Sequence, residues 1–179
     1  MNAGMTLRTL KANFVATSTR SMPLAGIIFW SLAAMAGLFL SPRQTAFAVA
    51  SGSGAIFPPG VLFDRLRGRN LLAPGSANPL TQMFLQSIAM IVLLWPLVII
   101  GGIDKPVFIV LGAAILPGTI WISCGSATND LVGLRHAIAR AVLCYAAYLF
   151  TPAQWAGSLI CAATLVCDFN SMLTMRQGA

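Results

Sequence analysis

The stretch LTQMFLQSIAMIVLLWPLVII, from Leu80 to Ile100, carries no charged side chain and decides the fold class. About 20 consecutive apolar residues form an α-helix as long as the ~30 Å hydrocarbon core of a bilayer is thick. This stretch is therefore predicted to cross a membrane as one helix. Five further stretches are also long and apolar enough to do so: Pro23–Leu40, Thr45–Phe63, Pro106–Ile122, Leu131–Phe150 and Gln154–Leu173.

The composition agrees with a membrane protein. Hydrophobic residues make up 58% of the 179 residues and charged residues only 8%, whereas soluble domains carry about 25% charged residues. The net charge is +7, but no basic patch is interleaved with aromatic residues, so we do not expect nucleic acid as a partner. The predicted fold is an all-α integral membrane bundle of six transmembrane helices. The similar runs at residues 54–60 and 112–118, with a fainter one at 161–167, are compatible with three helical hairpins. Chance similarity among Ala, Gly, Ile and Leu is the alternative.

The basic residues are distributed unequally between the two ends of the predicted spans. Only Arg43 and Lys105 lie on one side, whereas eight basic residues lie on the other. Cytoplasmic loops collect Lys and Arg, so the richer side is predicted to be cytoplasmic. With six spans, both termini then lie in the cytoplasm, and the protein is predicted to reside in the bacterial inner membrane. The eight residues are Arg8, Lys11, Arg20, Arg65, Arg67, Arg69, Arg135 and Arg176.

The N-terminal segment has two interpretations. Leu7, Leu10 and Phe14 recur at helical spacing, which is typical of an amphipathic helix on the anionic cytoplasmic leaflet. A short disordered tail is the alternative, because so few apolar anchors make an isolated helix marginal. Ala46–Ala50 is similar to a signal-cleavage site, but it lies too far along the chain, so we expect a retained first helix. The predicted regions are the cytoplasmic segment 1–22, the transmembrane domain 23–173 and the cytoplasmic tail 174–179.

Spans two, three and four contain proline at positions where a regular helix would lose backbone hydrogen bonds, in span three at Pro96 alone. Pro58, Pro59 and Gly60 follow each other in span two, and Pro117 and Gly118 stand together in span four. Proline has no N–H donor and clashes with the preceding turn of a helix. Broken helices in membranes often mark a solute site, so the two breaks are a candidate binding site. Ordinary proline kinks are the alternative, since proline is frequent in membrane helices.

Beyond Arg135, which opens span five, three ionisable residues lie inside predicted spans, where each costs at least ~2.5 kcal/mol near the bilayer centre. His136 and Arg140 share a face of span five, and Asp168 of span six is within reach if the two spans pack as a hairpin. One interpretation is a proton or ion relay, or a site for an anionic substrate. The other is a buried ion pair that fixes the register of the two helices. The second is favoured, because the chain contains no Glu and Asp168 is the only acid in a predicted span.

Span two has a basic end and a face of small residues, and each suggests a partner. Arg65, Arg67 and Arg69 follow the span and are predicted to contact anionic lipid headgroups at the cytoplasmic face. Small residues over 48–54 let a neighbouring helix approach closely. The sequence therefore leaves open a homo-oligomer that is held together through this face.

The sequence predicts no catalytic residue, no metal site and no cofactor. Residues 51–54 resemble part of the serine motif of rhomboid-type intramembrane proteases, but Ser51 stands where that motif has glycine, and the order of the serine and histidine helices does not fit. A single His and four scattered Cys lack the spacing of a metal site. We expect a non-enzymatic membrane protein of unknown activity, with a small-solute or proton-coupled transporter as the alternative.

Five short motifs stand in a characteristic order: Pro23–Trp30, Ile56–Leu62 with Arg65–Leu66, Asn78–Leu80, Leu94–Leu97, and Leu116–Pro117 with Trp121. Together they resemble a family of small bacterial membrane proteins that is known only as a domain of unknown function. The resemblance extends over roughly Pro23 to Phe150. It implies an uncharacterised helical membrane protein and carries no catalytic residue over to this chain.

Overall fold

The computed structural model describes residues 6–17, 21–66, 68 and 78–175. Within these ranges no strand is present, and a 3-10 turn at Gly54–Ile56 interrupts an otherwise α-helical architecture. The nine α-helices of the described ranges are α1 (Leu7–Thr17), α2 (Ser21–Ala36), α3 (Pro42–Ser53), α4 (Phe57–Leu66), α5 (Pro79–Gly101), α6 (Pro106–Gly118), α7 (Ile120–Thr128), α8 (Val132–Phe150) and α9 (Ala153–Thr174).

Several of these helices are long and apolar enough to cross a bilayer. Among the described residues they are α5, the nearly continuous pair of α6 and α7, and α9; the bent pair of α3 and α4 is a fourth if it forms one span. Helix α2 is apolar but only 16 residues long. Helix α8 has 19 residues but carries Arg135, His136 and Arg140, which lower its hydropathy. The prediction of an all-α fold with several helices that could cross a membrane is confirmed, and the number six is not.

The distribution of side chains suits a lipid environment. Large apolar side chains such as Leu93, Ile100 and Val142 are exposed, whereas Ser158 and Thr164 are buried. Soluble proteins bury most of their large apolar residues and rarely expose extended apolar surface. The apolar exterior therefore agrees with several helices that face hydrocarbon.

Helix α9 lies between α2 and α8. It packs antiparallel to α8 after the turn at Thr151 and Pro152. Cys144 Sγ lies 3.5 Å from Thr164 Oγ1, and Arg140, which is earlier in α8, contacts Asp168, which is later in α9. Helix α2 also runs antiparallel to α9, and Ser158 Oγ donates to the carbonyl of Ala34 at 2.6 Å. The buried core is built around these helices together with α3 and α6.

Helices α7 and α8 cross at a close contact between two glycines. A Cβ on Gly133 would lie 3.0 Å from the Cα of Gly125 and would clash with the carbonyl oxygen of Trp121. Asn129 ends α7 in the left-handed conformation, with φ of 61° and ψ of 39°. The sequence-based bound of span four, Ile122, is therefore too early, because the helix continues through small residues to Thr128.

The bend between α3 and α4 lies before its prolines. The two helices meet at the turn Gly54–Ile56 with a bend of 40°. Each proline ring clashes with the carbonyl four residues earlier, so Pro58 and Pro59 prevent a regular helix over the preceding turn. The prolines themselves lie in the first turn of α4, where a missing N–H costs no intrahelical hydrogen bond. The prolines thus cause the bend, but it lies about one turn before them in the chain.

Helix α1 packs against α5 and α7. Asn78 Nδ2 donates to the carbonyl of Leu10 at 2.8 Å, and Lys11 Nζ donates to Asn129 Oδ1 at 3.3 Å. Phe14 is 2% exposed and meets the ring of Phe84 edge to face, with centroids 6.3 Å apart. Asn78 also caps α5 by accepting from the N–H of Leu80, so one residue joins the start of α5 to α1.

Candidate functional site

The α8–α9 hairpin brings together the three ionisable residues that the sequence singles out. Asp168 Oδ1 lies 3.2 Å from Arg140 Nη1 and 3.4 Å from His136 Nε2. All three side chains are buried. His136 and Arg140 face α9 together because they are about one helical turn apart.

His136 is held at both ring nitrogens and at its face. Nδ1 lies 2.7 Å from Ser171 Oγ and 3.2 Å from the carbonyl oxygen of Cys167. A carbonyl oxygen only accepts, so this second contact requires the proton on Nδ1, and Nε2 of a neutral ring then accepts from Arg140 Nη1 at 3.4 Å. The imidazole also stacks on Trp121, with ring centroids 4.4 Å apart. The ring is therefore fixed in position beside the ion pair.

Besides His136, Arg140 directs its guanidinium at three neighbours. Nε donates to the carbonyl of Ala114 on α6, Nη1 donates to Asp168, and the guanidinium carbon lies 5.4 Å from the ring centroid of Trp30. Nη2 is buried and has no hydrogen-bond partner among the described residues. An unsatisfied buried donor of this kind costs about 1–3 kcal/mol.

Two glycines leave room for the ion pair. A Cβ on Gly118 would come 3.0 Å from Arg140 Cδ, and a Cβ on Gly26 would come 3.3 Å from Asp168 Oδ2. These glycines lie on α6 and α2, so both helices approach the pair from outside the hairpin. The absence of side chains at these two positions lets the charges sit within the bundle.

A cavity of about 410 Å³ adjoins the pair. This volume falls in the range of ~300–1,000 Å³ that is common for small-molecule sites. Arg140 and Asp168 border the cavity, and His136 lies behind them. Much of the wall is aromatic and is formed by Phe14, Phe57, Phe84, Trp30, Trp95 and Trp121.

The cavity separates α5 from the first half of the bundle. Helix α5 packs against α1, α6 and α7, but none of its Cα atoms lies within 8 Å of a described Cα atom of α2, α3 or α4. Ile88 and Ile91 of α5 border the cavity, as does Phe57 of α4. The described parts of α4 and α5 therefore face each other across this space.

Both predicted helix breaks lie next to the cavity. The turn that bends α3 into α4 contributes Gly54 and Ile56 to its wall, and α6 contributes Pro117. Pro58 and Pro59 are exposed. Gly60 is buried, and a Cβ at this position would clash with the side chain of Met22. The first break borders the cavity through residues that precede its prolines, and the second through Pro117 itself.

Sequence reasoning missed three residues of this region. Asp64 is assigned there to a cytoplasmic loop, but α4 continues to Leu66, and Asp64 is buried and borders the cavity. Its position about one turn after Gly60 is a signal that could have placed it on the same inward face. No sequence signal pairs Trp30 with Arg140 or Trp121 with His136, because these contacts join distant parts of the chain.

The remaining predicted site residues lie elsewhere. Arg65 is exposed in the last turn of α4, and Arg67 and Arg69 lie outside the described residues. Within the described part of the chain, no group of three His, Cys, Asp or Glu side chains could hold a metal ion. Cys124, Cys144, Cys161 and Cys167 are free thiols.

Comparison with known proteins gives a family and no activity. The chain matches the model of a family of unknown function, DUF7010, over residues 8–176. No curated protein and no solved structure matches it. Since the match extends over nearly the whole chain, the predicted membership in an uncharacterised family is confirmed, and the chain belongs to the family of unknown function DUF7010.

Proposed function

We propose that this protein binds a small, largely apolar molecule within the membrane, in the cavity beside Arg140 and Asp168. The observation that carries the proposal is the cavity itself, with its aromatic walls and a buried ion pair at one side. Small-molecule sites commonly combine mostly apolar walls with a few convergent polar groups. The proposal assigns no chemical reaction to the protein.

The proposal includes the topology that the sequence predicts: a bacterial inner-membrane protein with six passes and both termini in the cytoplasm. The spans would be α2, the α3–α4 pair, α5, the α6–α7 pair, α8 and α9. Antiparallel packing of α2 and α8 on α9 supports this arrangement. Helix α2 is ~24 Å long, and the exposed apolar residues Leu38 and Phe39 after it would extend the span toward the ~30 Å of the bilayer core.

Two partners belong to this proposal. Anionic headgroups would lie at the cytoplasmic face against Arg65, which is exposed. A second copy of the chain could pack on the small residues of α3, of which Ala48 and Ser51 are exposed. Light scattering of the detergent-solubilised protein would measure its mass and so test self-association.

Equilibrium binding of tritiated diphenylmethane tests the proposed site. This probe is apolar, uncharged and without a hydrogen-bond acceptor oxygen. We expect saturable binding of about one molecule per chain in protein-loaded nanodiscs, above the non-saturable partitioning into empty ones. Uptake that only follows the amount of lipid would refute the proposal.

A pair of variants on α5 locates the binding. Ile88 borders the cavity, whereas Leu93 is exposed on the same helix and does not. Ile88→Trp should fill part of the cavity and weaken saturable binding at least tenfold, because overpacking displaces a ligand or its contacts. Leu93→Trp adds the same side chain to the outer surface and should leave binding unchanged.

Transport of a small solute or of protons is the second candidate. It is favoured by one observation: the cavity borders both helix interruptions and also Arg140 and Asp168. The test is a pH-dependent flux into proteoliposomes, which Asp168→Asn should abolish while the protein stays folded. A wild-type protein without flux, together with an unstable Asp168→Asn variant, would instead support a structural ion pair.

A further inference from the structure

We infer that the cavity takes its ligand directly from the hydrocarbon of the bilayer, through a lateral opening between the turn Gly54–Ile56 and the middle of α5. The ligand is therefore an uncharged molecule that is dissolved in the membrane, and not a solute that arrives from water. The inference deepens the proposed function and rests on it, because it names the source and the class of the molecule that the same cavity binds.

The cavity is exposed at two of the residues that border it. Gly54 of the turn is exposed, and Val92 of α5 is 61% exposed. Every other described residue of the wall is buried or half-buried. A Cβ added to Gly54 would meet no atom within 4 Å, so the space beside this residue is open. The described wall is therefore open where Gly54 and Val92 lie.

These two residues belong to parts of the chain that do not touch. No Cα atom of α5 lies within 8 Å of a described Cα atom of α3, of α4 or of the turn between them. Helix α6 packs against both α3 and α5. The described helices thus form a wall that is continuous through α6 and interrupted between the α3–α4 pair and α5.

The opening lies at the middle of both elements that border it. At ~1.5 Å per residue, Val92 is ~20 Å from the start of α5 and ~14 Å from its end. Gly54 is ~18 Å from the start of α3 and equally far from the end of α4. In the proposed topology these elements cross a hydrocarbon core that is ~30 Å thick. The opening then faces the interior of the bilayer and not the headgroups.

The end of the cavity that lies next to α1 is covered. Phe14 of α1 is 2% exposed and packs against Phe84 of α5, and both rings border the cavity. Met22 at the start of α2 and Met175 after α9 border it as well, and both are half-buried. Among the described residues, this end of the wall contains no exposed side chain. The described structure therefore favours entry from the side over entry from this end.

The depth of the opening determines the class of the ligand. A charged group costs at least ~2.5 kcal/mol near the bilayer centre, so a molecule that reaches the opening through hydrocarbon is uncharged. Trp30, Trp95 and Trp121 border the cavity behind the opening, and their rings offer large apolar contact surfaces. An apolar molecule that already concentrates in the membrane meets both conditions.

Photolabelling from within the bilayer tests the opening. The protein is reconstituted into nanodiscs containing phosphatidylcholine with a diazirine at the methyl end of one acyl chain, and adducts are located by tandem mass spectrometry after illumination. Ile91 borders the cavity and is 7% exposed, whereas Leu93 is 70% exposed and does not border it. We expect adducts at both residues, because a chain end can enter the opening. Excess diphenylmethane should remove only the adduct at Ile91.

Substitutions at the opening assign the route. Gly54 has φ of −65°, which any residue adopts, so Gly54→Phe should place a ring in the opening without backbone strain. We expect this variant to lose the adduct at Ile91 and keep the one at Leu93; an unchanged adduct at Ile91 would overturn the inference. Ser51→Phe is the matched control, since Ser51 is exposed about one turn earlier and does not border the cavity. If Gly54→Phe does not fold, Val92→Trp narrows the opening from α5, and Leu93→Trp is its control.

The outcomes separate the inference from the proposed function. Adducts confined to exposed residues such as Leu93, together with saturable binding of diphenylmethane, would overturn the inference and leave the cavity as a binding site that is reached by another route. An adduct at Ile91 that excess diphenylmethane does not reduce would also overturn it, because the chain end would then lie outside the cavity. Absence of saturable diphenylmethane binding would refute the proposed function and the inference with it.

Discussion

Asp168 is the residue on which the buried ion pair depends most directly. Asp168→Asn would leave the charge of Arg140 buried without its counter-charge at 3.2 Å, and the loss of one partner of a buried pair costs about 3–5 kcal/mol in soluble proteins. We expect a lower midpoint of thermal unfolding in detergent, followed by tryptophan fluorescence. The combination of Arg140→Met with Asp168→Asn removes both charges and should be more stable than Asp168→Asn alone. A double variant that is no more stable would contradict this account.

Gly133 has a different kind of importance, because its backbone touches a neighbouring helix. Gly133→Ala would place a Cβ against the carbonyl oxygen of Trp121 and 3.0 Å from the Cα of Gly125. Backbone atoms cannot move aside as a flexible side chain can, so we expect a loss of about 3 kcal/mol or more in unfolding free energy. Gly54→Ala is the control, since no atom lies within 4 Å of its added Cβ. Comparable melting midpoints for the two variants would argue against a tight α7–α8 crossing.

The sequence predicts which ionisable residues form the buried cluster, but it does not predict their hydrogen-bond partners on other helices. His136, Arg140 and Asp168 stand out because an ionisable residue in an apolar helix is costly, and their mutual reach follows from helical spacing. The carbonyl of Ala114, which accepts from Arg140 Nε, belongs to a helix distant in sequence. Ala114 carries no chemical signal of its own, so its role depends on how α6 packs against α8.

Among the described side chains of α1, Phe14 is the most deeply buried. Phe14 is 2% exposed against Phe84 and borders the cavity. Phe14→Ala should loosen α1 from α5 and α7, because a large buried ring contributes about 3–5 kcal/mol. We expect faster hydrogen exchange of the backbone amides in residues 7–17, measured by mass spectrometry, with little change in α9. Leu7→Ala on the same helix, whose side chain is 62% exposed, should leave the exchange rates unchanged.

The interrupted helices illustrate what proline signals can and cannot predict. Pro58 and Pro59 correctly indicate that span two is not a regular helix, since proline excludes the hydrogen bonds of the preceding turn. The bend itself lies at Gly54–Ile56, and α4 continues beyond the prolines to Leu66. Asp64 thereby becomes part of a helix and of the cavity wall. Local chemistry thus predicts a break, whereas the direction of the chain after it depends on packing against α2.

For the molecule as a whole, α8 decides between the proposed six passes and a smaller number. It is as long as a transmembrane helix, but its basic residues lower its hydropathy, so it is not among the helices whose composition alone suffices for crossing a membrane. In the structure His136 and Arg140 turn toward α9, while Ile138 and Val142 are exposed. A helix that pairs its charges inward can face lipid with its other side, so composition underestimates α8.

Labelling with a membrane-impermeant maleimide tests this topology in intact cells, in a Cys124→Ser background. Leu131 and Gln154 are both exposed and lie near opposite ends of α8. We expect Gln154→Cys to be labelled from outside and Leu131→Cys only after the membrane is opened, because α8 crosses between them. Asp104→Cys should behave like Gln154→Cys, and Leu66→Cys like Leu131→Cys, since two passes separate the members of each pair. Labelling of Leu131→Cys and Gln154→Cys from the same side would show that α8 does not span, and the proposed orientation of the C-terminus would then be wrong.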